Sequence, residues 1–349
     1  MISKTRHRTL LTIAVMLCAA WLGKPAAAQQ PAPEITAVEM MTPETQQAIE
    51  RGLAYLAAHQ HDDGGFGSGA YSRNAAVTAL SAMAFLSAGS TAGRGPYGEN
   101  VDRAIGFLIK HTQDSGFITV QGATSHGPMY GHGFATLLLA ECYGMTHREE
   151  LRDKLNRAVQ LIVQTQNKEG GWRYQPQRRD ADISVTICQV MALRAARNAG
   201  LHVPRETIDQ TIEYVKHSQN ADGGFMYMLQ GSPSEFPRSA AGVVALYSSG
   251  IYEGSEVEKG LDYLMKHLPR GGRFSRQSHY FYGHYYAVQA MWHAGGPYWQ
   301  RWFPAIRDEL LQRQHADGSW MDAICAEYGT AMACIILQMP NNYLPIFQR

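Results

Sequence analysis

A segment of the form Gln-x-x-x-Gly-x-aromatic occurs four times in full along this chain: Gln60 to Phe66 (QHDDGGF), Gln166 to Trp172 (QNKEGGW), Gln219 to Phe225 (QNADGGF) and Gln314 to Trp320 (QHADGSW). Two degraded copies, Gln113 to Phe117 (QDSGF) and Gly271 to Phe274 (GGRF), fill the gaps. The closing aromatics at 66, 117, 172, 225, 274 and 320 are spaced by 51, 55, 53, 49 and 46 residues. A near-constant period over six copies describes one supersecondary unit, repeated, that buries its apolar face only against its neighbours.

Each copy follows a segment with apolar residues every three or four positions, as in RGLAYLAAHQ, RAIGFLIKHTQ, RAVQLIVQTQ and QTIEYVKHSQ. That spacing predicts one amphipathic helix per repeat. Each copy also precedes a second run that is apolar nearly all round, such as NAAVTALSAMAFLSAG, GHGFATLLLAECYG, DISVTICQVMALRAARNAG and HYYAVQAMWHAGG. Several of these runs end at Gly, as helices with a left-handed C-terminal residue do. They are too long for strands and are expected to form the buried layer. Twelve helices in six pairs predict an all-α fold, an α6/α6 toroid with two concentric layers. A linear solenoid needs polar caps on its terminal repeats, whereas the last run, Thr330 to Met339, is as apolar as the middle ones, so a closed ring is expected.

The six copies resemble the QW motif of the terpenoid cyclases and protein prenyltransferase β-subunits, and the resemblance extends over essentially all of the chain after its first 28 residues. It implies a toroid with a pocket on the ring axis, and a scaffolding role for the motif. Gln bonds backbone groups at a helix end, Gly permits the tight turn, and the aromatic packs between neighbouring pairs.

In such a toroid the starts of the inner helices face the mouth of the pocket. Aligning the inner runs on their small-residue core (VTAL, ATLL, VTIC, AGVV, AVQA, TAMA) places one polar residue per repeat at a matching position: Asn74, His132, Asp182, Arg238, His284 and Glu327. Helix capping suits Asn74 and Asp182. It suits His132, Arg238 and His284 badly, because cations oppose the macrodipole at a helix N-terminus. Repeats 2 and 5 share the tripeptides Tyr130-Gly131-His132 and Tyr282-Gly283-His284, which sixfold geometry sets across the pocket from each other. The expected catalytic set is Asp182, Asp180, His284 and Tyr282; the expected ligand-binding set is Asn74, Tyr130, His132, Arg238, Tyr285 and Glu327.

The resemblance brings three chemistries to compare. Prenyltransferases hold zinc with an Asp, a Cys two residues later and a His in the following repeat; Tyr282 and His284 stand at the Asp and Cys positions, so no metal and no other cofactor is expected. Squalene-type cyclases protonate an alkene with an Asp-x-Asp-Asp acid after a GGW turn. Here Gly170-Gly171-Trp172 is followed by Asp180-Ala181-Asp182, with Ile183 in place of the last Asp. A complement-type thioester needs Cys and Gln three residues apart, and Tyr328 occupies that place after Cys325. The cluster Tyr280-Phe281-Tyr282 with Tyr285 and Tyr286 provides faces for a cation, an isoprenoid or a sugar ring. The reading is an exported toroid that binds or transforms a small apolar, isoprenoid-type ligand by Asp acid chemistry. Two alternatives stand beside it: a polysaccharide lyase or hydrolase using the Tyr-His pairs or opposed Asp182 and Glu327, and a non-catalytic binding module.

Composition bounds the partners. Four of the 31 Lys+Arg (Lys4, Arg6, Arg8, Lys24) lie in the first 28 residues, which hold no acid, leaving 27 against 30 Asp+Glu. A faintly acidic remainder makes no case for nucleic acid. The basic start, the apolar run Leu10 to Leu22 and Ala26-Ala27-Ala28 read as a secretory signal cleaved after Ala28, too short to span a bilayer as an anchor. Residues 29 to 43 read as a flexible lead-in and 44 to 349 as one toroid. Cys142, Cys188, Cys325 and Cys334 read as buried thiols, with a Cys325 to Cys334 bridge left open.

Overall fold

The computed structural model describes residues 37–123, 125–269 and 278–348. The expected signal segment, most of the lead-in and the degraded turn at Gly271 to Phe274 lie outside these residues.

Among the described residues twelve long helices follow one another in alternation. The outer helices are α1 (Pro43–Ala58), α3 (Gly98–Lys110), α5 (Glu150–Thr165), α7 (Arg205–His217), α9 (Ser255–Met265) and α11 (Gly296–Arg313). The inner ones are α2 (Ala75–Ser87), α4 (Pro128–Cys142), α6 (Ile183–Asn198), α8 (Phe236–Ser248), α10 (Tyr280–Ala294) and α12 (Ala326–Leu337). Among the described residues the only β-type pairings are isolated bridges. The inner helices are buried on nearly every face, as their continuous apolar composition requires, while the outer helices bury one stripe.

The inner helices pack in the order α2, α4, α6, α8, α10, α12 and back to α2, which closes the ring. The outer helices α3, α5, α9 and α11 pack mainly on the inner helix that precedes them, and α1 packs on α12. That last contact is tight: a Cβ on Gly52 of α1 would lie 2.6 Å from Cys334 Sγ of α12.

The repeated motif fastens each turn to the next outer helix. Gln60, Gln166, Gln219 and Gln314 donate through Nε2 to the carbonyl of their own glycine, Gly64, Gly170, Gly223 and Gly318, each at 3.0 Å. The same amides donate to Asn100, Thr207, Glu256 and Ala48 carbonyls at 3.0, 2.9, 2.8 and 2.8 Å. Glycine is required because the turn is left-handed and pressed against that helix: Gly170 has φ +95°, and a Cβ there would sit 2.2 Å from Gln210 O. The closing aromatic is held by its own N–H, which Phe66, Trp172, Phe225 and Trp320 donate to Thr78, Thr186, Ser239 and Thr330 hydroxyls. The motif is scaffold.

The far end of the ring axis is stopped by the last segment, Met339 to Gln348. Leu344, Ile346 and Phe347 are buried. Glu141 on α4 accepts the Ile346 N–H at 3.3 Å and Arg194 on α6 donates to Gln348 O at 2.6 Å. Burial raises the Glu141 carboxyl to about 7, against the opposing pull of that N–H and of Arg194.

Candidate functional site

Among the described residues the opposite end of the axis is open. The first turns of the inner helices and the loops leading into them enclose a cavity of about 370 Å³, a size typical of small-molecule sites. Its mouth is polar, with Tyr71, Asn74, His126, Glu235, Arg238 and His279; its depth is aromatic, with Tyr130, Phe134, Tyr282 and Tyr328. Tyr71 Oη and His126 Nε2 lie 2.9 Å apart. Arg238 is committed to Glu235 Oε1 and Pro233 O, both at 3.0 Å.

Asp182 caps α6. Its backbone is extended, and Oδ1 accepts the Val185 N–H at 2.9 Å. The turn that precedes it seals it in, with its own N–H bonded to Trp172 O, and the side chain is fully buried. Oδ2 faces Arg173 Nε at 3.8 Å and Tyr227 Oη at 3.5 Å. Tyr227 in turn shares a short hydrogen bond with Tyr174 Oη, and both tyrosines line the cavity. Asp182 therefore sits one layer behind the wall, joined to it by two hydroxyls. Burial raises its carboxyl to about 6, although Val185 N–H, Arg173, Ser184 N–H and Tyr227 all favour the carboxylate. Asp180 is half-exposed and bound to Arg173 Nη1 at 2.5 Å, so it holds the guanidinium that faces Asp182. Arg178, two residues before Asp180, donates to Gln166 O at 2.8 Å.

Of the other expected residues, Asn74, Tyr130, Arg238 and Tyr282 line the cavity. Asn74 also caps α2, with Oδ1 accepting from Ala76 N at 2.8 Å. His132, His284, Tyr285 and Glu327 do not line it, and the matched ring of polar residues is corrected here. His132 Nδ1 accepts the Ile118 N–H at 3.2 Å, the place taken by Thr or Ser hydroxyls in four other repeats, and Nε2 lies 3.3 Å from Ala158 O. It belongs to the turn fastening, one helical turn further in than Asn74 or Asp182. His284 occupies the same fifth position of α10. The small-residue pattern used for alignment recurs every turn of an all-apolar helix, so a slip of four residues leaves the pattern intact. Burial lowers His132 to about 4 and His284 to about 3, so both are neutral and oppose no macrodipole. Glu327 is tied by Ser68 Oγ at 2.8 Å. Tyr130 and Tyr282, expected on facing walls, meet edge to face with centroids 6.5 Å apart.

Tyr71, His126, Tyr174, Tyr227, Glu235 and His279 were not expected. All come from the loops between motif and inner helix. A signal existed for two of them: Trp172-Arg173-Tyr174 and Phe225-Met226-Tyr227 repeat a Tyr two residues after the closing aromatic. Cys142, Cys188, Cys325 and Cys334 are free and buried. Among the described residues no three His, Cys, Asp or Glu side chains converge to hold a metal ion.

Residues 134–279, which contain Tyr174, Asp182, Tyr227 and Arg238, match the squalene-hopene cyclase C-terminal domain. The chain has the terpenoid-cyclase-like toroid fold. It is 26% identical over 181 residues to drimenyl diphosphate synthase of Streptomyces showdoensis, a match covering 51% of this chain and 32% of that protein. It is 32% identical over 115 residues to the drimenyl diphosphate synthase of Streptantibioticus cattleyicolor, covering 33% and 21%. The matches thus span about a third and about a fifth of the length of these relatives. Among solved structures, the type II terpene cyclase MstE from Scytonema superposes with a TM-score of 0.62 at 16% identity, over 86% of this chain and 99% of that one. The α-1,6-mannanase GH76A of Salegentibacter superposes equally well, 0.62 at 8% identity, over 85% and 99%. The toroid is therefore common to both chemistries, and the fold alone does not choose between them.

Proposed function

We propose that this chain is a cyclase-like protein that takes an isoprenoid-type ligand into the axial cavity and protonates it, with Asp182 as the acid. The observation that carries this reading is a buried carboxyl, raised to about 6, joined to the cavity through Tyr227 and Tyr174. A proton passing along that path protonates one carbon of an alkene. The π electron pair forms the new C–H bond and leaves a carbocation at the other carbon. Asp182 is left as carboxylate, which the Val185 N–H, the α6 N-terminus and Arg173 stabilise. The faces of Tyr130, Phe134, Tyr282 and Tyr328 surround the cation. Loss of a proton from the cyclised cation regenerates the acid.

The other readings have less support. A hydrolase needs two carboxyls at the ligand, and among the described residues the only carboxylate lining the cavity is Glu235, which is paired with Arg238. The Tyr-His pairs invoked for a lyase are split, because Tyr130 and Tyr282 line the cavity and His132 and His284 do not. A purely structural module does not call for an open cavity of this size. Export after Ala28 remains part of the proposal, and N-terminal sequencing of the protein recovered from the medium or periplasm tests it.

The functional test is incubation of the protein with farnesyl and geranylgeranyl diphosphate and their alcohols, followed by mass spectrometry of extracted products. Cyclised product from wild type and none from Asp182→Asn is the expected result. Product formation unaffected by Asp182→Asn, or no product and no retained isoprenoid at any pH between 4 and 8, overturns the reading.

A further inference from the structure

The cavity stops well short of the far end of the ring. Phe134 is the deepest lining residue on α4, six residues past Pro128, or about 9 Å along the helix axis. On α2, α10 and α12 the lining residues Val77, Tyr282 and Tyr328 lie in the first turn. Below them the axis is filled. Tyr285 and Tyr286 are fully buried and pack on each other with centroids 4.9 Å apart. Tyr285 stands edge-on to Phe134 at 6.1 Å above and to Phe347 at 6.5 Å below. Tyr286 stands edge-on to Tyr282 at 4.8 Å, and Tyr282 is itself pinned by its hydroxyl, which donates to Ser184 O at 2.8 Å.

An engineered cavity of 150 Å³ holds benzene, with its six carbons. In the same proportion a cavity of 370 Å³ encloses about fifteen non-hydrogen atoms. Taking the axial cavity as the ligand site, as the proposed function does, we infer that the part of the ligand enclosed by the ring is limited to about fifteen non-hydrogen atoms, and that Phe134 and Tyr282 set this limit. The floor is a stack of rings, each supported by the next, and a longer chain enters only by displacing buried tyrosines. The ligand class is a short isoprenoid chain. A triterpene with twice as many carbons does not fit beneath the mouth.

The limit is measurable without any turnover. Straight-chain 1-alkanols from eight to twenty carbons, delivered from cyclodextrin, are titrated by equilibrium dialysis. In wild type the affinity rises about fourfold per methylene and stops rising near fourteen carbons. Phe134→Leu and Phe134→Ala, with folding checked by circular dichroism, move the break outward by about three to six carbons, the atoms each change removes. Tyr282→Leu moves it too, whereas Tyr282→Phe, which keeps the ring, does not. A rise that continues through twenty carbons in wild type, or a break unmoved in folded Phe134 variants, overturns the inference even if isoprenoids are cyclised. A break that moves as described upholds it even if no isoprenoid gives product. If no alkanol binds, both readings fall.

Discussion

The hydroxyl of Tyr227 lies 3.5 Å from Asp182 Oδ2 and shares its other side with the hydroxyl of Tyr174. Tyr227 thus links a carboxyl with no exposure of its own to the cavity. A donor to a carboxylate lowers its pKa, so Tyr227→Phe is expected to raise Asp182 above its value of about 6. Carboxyl-detected NMR titration reads the shift directly. An unmoved titration removes Tyr227 from the path.

The acid must be protonated to act. Turnover is expected to level off below pH 6 and to decline about tenfold per pH unit above it, as Asp182 ionises. A pH–rate profile flat from 5 to 8 rules out Asp182 as donor.

Glu141 shapes stability in the opposite half of the molecule. Its folded value of about 7 exceeds the ordinary 4.5, so the native state holds the proton more tightly than the unfolded chain. Its contribution is present below pH 4.5 and is lost as pH rises through 7, a swing of up to about 3 kcal/mol. Glu141→Gln keeps an acceptor for Ile346 N–H and cannot ionise. Urea unfolding is expected to show the variant close to wild type at pH 4.5 and more stable by about 1–3 kcal/mol at pH 7.5. A difference independent of pH contradicts the assignment.

His132 offers a test of scaffold against site. His132→Ala leaves the buried Ile118 N–H without its acceptor and is expected to cost about 1–3 kcal/mol. His132→Thr, the residue other repeats use there, should recover much of that loss. Neither change should alter ligand affinity in the folded fraction, and a selective loss of binding would return His132 to the site.

The ring was legible because its signal is redundant. Four turns use the same Gln to span two carbonyls and the same left-handed Gly, so the motif survives in the sequence wherever the contact does. Asp182 was found for a local reason, since a cap before an apolar run is visible in one dimension. The histidines were misplaced because an all-apolar helix offers no phase: a slip of one turn exchanges buried residues for buried residues. Tyr71, His126, Glu235 and His279 were missed because they stand on loops whose paths are set by neighbouring repeats. The depth of the cavity was equally hidden, since nothing local to Tyr285 or Phe347 says that the two will be stacked on one axis.

The bond from Gln314 to Ala48 spans 266 positions, and it makes the ring indifferent to its own starting point. α1 is an outer helix whose partner is α12, so during synthesis its apolar stripe of Ile49, Leu53 and Leu56 waits for the whole molecule before it is covered. Five repeats are not a smaller version of six: they are an arc with two raw ends. Such a ring should tolerate a cut at another inter-repeat loop, since the joints that Gln60, Gln166 and Gln219 close are chemically the same as the one that Gln314 closes.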